Sequence, residues 1–82
     1  MASNALEPRV ARRVGGHIKA ARVASGFSRA HVARSSGLTN RELAGYEQGK
    51  TLPSRRDARA LAGACGINLD ELLPSDLVES LT

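Results

Sequence analysis

The sequence predicts an all-α domain, an expectation that rests on three observations. The chain has 82 residues, room for one domain, and a chain of that size buries only about 60–65% of the surface its unfolded form exposes. With one Tyr, one Phe and no Trp, the core must be built from Ala, Leu, Val and Ile. That palette suits thin helices packed closely rather than a β-sandwich. Finally, four apolar runs open on a Ser, Thr or Asn and four close on a Gly, the start and stop signals of helices.

Taken in order, the elements number five. Met1 to Glu7 is mixed and polar without periodicity, so residues 1–8 read as an N-terminal arm. Pro8 suits a first helical turn, and Val10, Val14, Ile18 and Ala21 then fall on one face of a helix that Gly26 ends. Gly15-Gly16 weakens the middle of that helix by about 1 kcal/mol per glycine, so it must lean on tertiary contacts. Ser28 caps the second helix, Arg29 to Ser36, with Phe27 placed to staple onto Val32 and Gly37 to close it. Thr39 caps the third, which turns Leu43 and Tyr46 inward and Asn40, Arg41, Ala44, Gly45 and Gln48 outward before Gly49 stops it. Ser54 and Asp57 form a weak capping box opening the fourth, with Ala58, Leu61, Ala62 and Cys65 inside and Gly66 at its end. Asn68 caps a short fifth helix, Leu69 to Leu73, that Pro74 stops. Residues 9–74 form the domain and 75–82 a tail.

Composition removes several classes of function. A single cysteine, Cys65, cannot form an internal disulfide, and its apolar neighbours make it a buried structural thiol. His17 and His31 have no partner with zinc-ligand spacing. There is no Gly-rich phosphate loop and no nucleophile with a plausible base, so the sequence reads as a non-enzyme without cofactor or metal. No apolar stretch approaches the roughly 18–20 residues of a membrane span, and the N-terminus lacks a secretory pattern. A cytoplasmic protein is expected.

Charge points the other way, toward a partner. The net charge is +4, but all twelve Lys and Arg and four of the eight acids fall in residues 1–59, a formal +8, leaving −4 for residues 60–82. One end of the molecule therefore seeks a polyanion.

The segment Phe27 to Gly49 supplies the rest: an eight-residue helix, a tight turn at Gly37-Leu38, and a second helix opened by Thr39. Two helices so joined form a helix-turn-helix, whose second helix can lie in the ~12 Å major groove of B-DNA. Thr39, Asn40 and Arg41 form its leading edge. Asn can bond adenine bidentately and Arg can do the same with guanine, so these are the residue types that base readout needs.

The chain at this point strongly resembles the Xre family, the helix-turn-helix type of the lambdoid phage repressors and Cro proteins, over roughly Val14 to Leu73. The matching positions are Ile18, Ala21-Arg22, Gly26-Phe27-Ser28-Arg29, Val32-Ala33, Gly37-Leu38-Thr39, Leu43, Tyr46-Glu47, Gly49-Lys50, Pro53, Leu61-Ala62 and Gly66 to Leu72. The resemblance implies a five-helix, lambda-repressor-like domain and a transcriptional regulator, a repressor, that reads double-stranded DNA with helix 3. It implies an ion pair between Arg22 and Glu47 tying helix 1 to the recognition helix. It also implies DNA contacts from Ser28, Arg29, Thr39, Asn40, Arg41, Glu42, Ala44, Gly45 and Gln48, with Lys50, Arg55 and Arg56 on phosphates.

Three positions depart from the family pattern. Arg29 stands where relatives often have Gln and should favour a phosphate or a guanine edge. Ala44 and Gly45 replace long polar readers, leaving the reading to Asn40, Arg41, Glu42 or Gln48. Ser36 stands where a Leu is usually buried, which suggests a frayed end to helix 2. The implied partner is a pseudo-palindromic operator bound by a homodimer, with Leu77, Val78 and Leu81 of the tail and helix 5 as candidate dimer contacts. The rival function is a helix-turn-helix adaptor that binds proteins and touches DNA weakly.

Overall fold

The computed structural model describes residues 3–73, with residues 3–8 by backbone alone. Five α-helices follow one another: α1 (Ser3–Ala24), α2 (Arg29–Ser36), α3 (Asn40–Glu47), α4 (Arg55–Cys65) and α5 (Leu69–Leu72), with no strand among the described residues. Helix α1 begins before Pro8, at which the sequence places its first turn; Ala5, Leu6 and Glu7 are strong helix formers. The predicted tail, residues 75–82, lies outside the described residues.

The turns explain how so short a chain packs five helices. Gly26, Gly37, Gly49 and Gly66 all take left-handed φ values between 71° and 74°. After each, the next residue's N–H reaches back to a carbonyl five residues upstream, as in Leu38 to Ala33 at 2.8 Å and Ile67 to Ala62 at 3.0 Å. Three of the residues that come after these glycines, Phe27, Leu38 and Ile67, lean on the core. Each turn therefore stops one helix, and those at Gly26, Gly37 and Gly66 turn the chain back onto the core.

N-caps complete the scheme. Ser28, Thr39 and Ser54 accept the N–H of His31, Glu42 and Asp57 at 3.1, 3.0 and 3.1 Å. Thr39 and Glu42 form a full capping box, the carboxylate accepting the Thr39 N–H at 2.8 Å. The expected box at Ser54 is half made, because Asp57 directs its carboxylate to the hydroxyl of Tyr46 instead. Helix α2 is not frayed: Gly37 closes it regularly, and the Ser36 hydroxyl donates to the Ala60 carbonyl of α4 at 3.4 Å. A polar residue at that position is thus satisfied by a neighbouring backbone group.

The core follows the predicted faces. Val14, Ile18, Val32, Leu43, Leu61 and Leu72 are fully buried, each stabilising the fold by about 1.5–3 kcal/mol relative to exposure. Cys65 is buried as expected, and burial pushes its thiol pKa up. Helix α2 packs chiefly on α4, and α1 on α3. The contact of α1 with α3 depends on Gly15, because a Cβ there would collide with the Tyr46 carbonyl and crowd that of Glu47 at 3.0 Å. Gly15 is a close approach of two backbones rather than a weak point in α1. Leu72 of α5 and Leu73, which caps it, are buried in the chain's own core, and Ile67 and Leu69 pack half-buried against it, so little of the apolar surface expected of helix 5 as a dimer contact is left open.

Candidate nucleic-acid interface

One face of α3 is locked and the other is open. Leu43 is buried, Tyr46 packs against the core, and Glu47 is the one buried charged residue among those described. Asn40, Arg41 and Gln48 are exposed on the opposite side, with Ala44 and Gly45 half-exposed between them. Because both small residues lack length, that side carries an open concavity of about 560 Å³, lined by Arg41, Ala44, Gly45, Gln48, Lys50 and Thr51 among others. Nothing approaches within 4 Å of the space a Gly45 Cβ would take.

Two ties hold α3 in place from behind. The first is Glu47, whose side chain is 1% exposed and receives Arg22 in a two-pronged bond, Nε to Oε2 at 2.6 Å and Nη2 to Oε1 at 3.1 Å. Arg22 also donates to the Phe27 carbonyl at 2.9 Å, so one guanidinium joins α1, the turn before α2, and α3. The bond to Glu47 raises the Arg22 pKa further above its ordinary value, against the opposing effect of burial. The pairing implied by the resemblance is thus present in the structure.

The same carboxylate has a second partner that sequence reasoning missed. Arg29 reaches Glu47 Oε1 at 3.3 Å through Nη2 and 3.4 Å through Nε, with its side chain 41% exposed. No spacing rule links residues 29 and 47, since their approach exists only once α2 and α3 are packed. One buried anion faces two cations, which leaves this junction a net positive charge.

The second tie was also unforeseen. Tyr46 donates its hydroxyl to Asp57 Oδ2 at 2.5 Å, joining α3 to the first turn of α4. Burial first, and then that hydrogen bond, push the phenol from 10.0 up to about 12.

The other predicted residues divide into groups. Arg41, Glu42, Ala44, Gly45, Gln48 and Lys50 all line the concavity on α3. Asn40 instead borders a smaller hollow shared with Ala30, Arg34 and Leu38. Ser28 and Thr39 are exposed but serve as caps, and the Glu42 carboxylate is engaged in the capping box. The Thr-x-x-Glu spacing that signals this role stands in the sequence at residues 39–42. Arg55 and Arg56 are exposed at the start of α4 and line neither hollow. His31 is exposed and packs on Phe27, with ring centroids 4.5 Å apart. Among the described residues no group of three or more His, Cys, Asp or Glu is placed to hold a metal ion, and no helix is long and apolar enough to cross a membrane.

Short capped helices, a Gly-closed turn between α2 and α3, and an outward polar edge on α3 define a helix-turn-helix protein. The chain belongs to the helix-turn-helix family of DNA-binding domains, whose model matches residues 13–74. Two solved structures resemble it closely. The restriction-modification controller protein C.AhdI from Aeromonas hydrophila is 31% identical, with a TM-score of 0.73 over 76% of this chain and 94% of that one. The apo form of ComR from S. thermophilus is also 31% identical, with a TM-score of 0.74 over 80% of this chain but only 23% of ComR. No curated protein sequence matches the chain. The five-helix, lambda-repressor-like fold expected from the sequence is the fold of the controller protein.

Proposed function

We propose that this protein is a transcriptional repressor that binds a pseudo-palindromic DNA operator as a homodimer, with α3 in the major groove. The observation that carries the reading is the two-sidedness of α3. Its inner face is fixed by Leu43, Glu47 and Tyr46, while Asn40, Arg41 and Gln48 stand free on the outside. A helix held in this way presents its polar edge without reorganisation, which lowers the entropic cost of binding. Likeness to a restriction-modification controller supports the regulatory role.

Arg41 and Asn40 read base edges in this proposal, and Gln48 adds a contact farther along the groove. Ala44 and Gly45 let the α3 backbone sit close to the bases. Ser28, Lys50, Arg55 and Arg56 hold phosphates, joined by Arg29, which Glu47 holds at the edge of α2. Repression then results from occupancy of the site.

Selection of bound duplexes from a random pool tests the proposal, followed by gel retardation with Arg41→Ala. The expected pool contains two related half-sites about 10 bp apart, and the variant loses about 1–3 kcal/mol of discrimination at one base pair per half-site. A pool with no enriched sequence would overturn sequence-specific binding and favour the adaptor role. Equal loss on operator and random DNA would remove Arg41 from base readout.

A further inference from the structure

We infer that Arg12, on α1 and outside the helix-turn-helix, forms with Lys50 a phosphate-binding pair at the C-terminal end of α3. The inference rests on the DNA-binding reading of α3 and adds to it a residue that no sequence motif selects. Gly49 forms the turn after α3. Gly49 has φ +74°, and a Cβ there would stand 2.6 Å from Arg12 Cγ, 2.7 Å from its Cα and 3.1 Å from its N. The turn therefore lies directly on the backbone of α1, at Arg12.

Lys50, the residue after this turn, differs from its counterparts in the other three. Phe27, Leu38 and Ile67, the residues after Gly26, Gly37 and Gly66, all lean on the core, whereas Lys50 is exposed. The same hydrogen-bonded turn holds it, its N–H reaching the Gly45 carbonyl at 2.9 Å. A fixed backbone thus roots exposed Lys50 one residue from the point where the turn meets a second exposed cation, Arg12.

Among the described residues neither cation has a counter-charge. The nearby carboxylates are taken, Glu47 by Arg22 and Arg29 and Asp57 by the Tyr46 hydroxyl. No ion pair or side-chain hydrogen bond among those residues engages Arg12 or Lys50. From Pro8 to Arg41 the sequence contains no acid at all, and none stands between Gln48 and Arg56. Two adjacent like charges without a carboxylate repel one another, and an anion between them relieves that repulsion.

Position names the anion. Helix α3 has eight residues and so is about 12 Å long, comparable to the roughly 12 Å width of the major groove. With Asn40 and Arg41 at the bases, its far end stands at the rim, where the backbone phosphates run. Arg12 and Lys50 flank that end.

The test is the salt dependence of DNA binding by wild type, Arg12→Ala and Arg12→Lys, on an operator and on random duplex. Each phosphate contact contributes about 0.9 to the slope of log affinity against log salt. Arg12→Ala is expected to lower the slope by about that amount per protein unit and to weaken both duplexes equally, while Arg12→Lys keeps the wild-type slope. Between 50 and 200 mM salt the affinity loss would then shrink about 3.5-fold per unit. Because Arg12 is exposed, an unchanged melting temperature is expected in both variants. A wild-type slope in Arg12→Ala would overturn the pair while leaving the repressor reading intact. Wild-type protein that binds no DNA would overturn both.

Discussion

At the scale of single residues, Glu47 and Gly15 matter more than their chemistry suggests. Glu47 is buried at the meeting of α1, α2 and α3, and its removal strands Arg22, which is only 12% exposed. Glu47→Ala should destabilise the protein by about 1–3 kcal/mol, since an unpaired buried charge costs more than the pair contributes. Arg29→Ala should cost less than about 1 kcal/mol, because that side chain is well hydrated. Chemical denaturation distinguishes the two, and equal losses would mean that Arg22 is not the principal partner. Gly15 and Gly16 make a second contrast on one helix. Gly15→Ala pushes a methyl into the Tyr46 carbonyl and should cost about 1–3 kcal/mol, whereas Gly16 faces open space and Gly16→Ala should add about 0.5–1 kcal/mol. Thermal melts that moved in the same direction for both would contradict the close contact of α1 with α3.

Between elements, the tie from Tyr46 to Asp57 sets α3 against the start of α4. It fixes α3 relative to Arg55 and Arg56, which open α4. Its pH signature comes from the raised phenol. A group whose folded pKa exceeds its unfolded value contributes stability fully below the unfolded value, here 10.0, and loses it as pH rises to about 12. Stability should therefore fall between pH 10 and about 12. The chain has one Tyr and no Trp, so phenolate absorbance reports this residue directly. The expected midpoint is near 12, falling part of the way toward 10 in Asp57→Asn, since burial remains as the larger cause. A wild-type midpoint at 10 would mean that neither the burial nor the bond holds in solution, and one no higher than that of Asp57→Asn that the bond alone is absent.

For the whole molecule, the division of charge bears on the orientation that the proposed complex with DNA would take. Residues 1–59 carry +8 and residues 60–82 carry −4, so the acidic end is expected to face away from the duplex and toward a second copy. At this end Leu72 of α5 and the Leu73 that caps it already serve the chain's own core, which shifts the proposed dimer contact toward Leu77, Val78 and Leu81. Deleting residues 75–82 should yield a monomer in sedimentation, with weaker binding to palindromic sites and about half the salt slope per bound unit. Unchanged mass and operator affinity would place the contact elsewhere.

Caps, glycine stops and apolar spacing act within a few residues of chain, so the elements and their inner faces were legible in the sequence, except the start of α1, which lies at Ser3 within the stretch read as an arm. Ser28, Thr39 and Ser54 cap the helices they precede, and Val14, Ile18, Leu43 and Leu61 are buried as their spacing requires. The link from Arg22 to Glu47 was legible only through family resemblance, since no local rule joins residues 25 apart. Packing alone settles where side chains meet across helices. Arg29 finds Glu47, Asp57 leaves its own cap for Tyr46, and Ser36 satisfies itself on Ala60, each a choice between a local partner and one that tertiary contact brings near. Gly15 and Gly49 belong to the same class. In sequence they read as a weak point and a stop, and only the approach of α1 to the end of α3 makes them the places where two backbones touch.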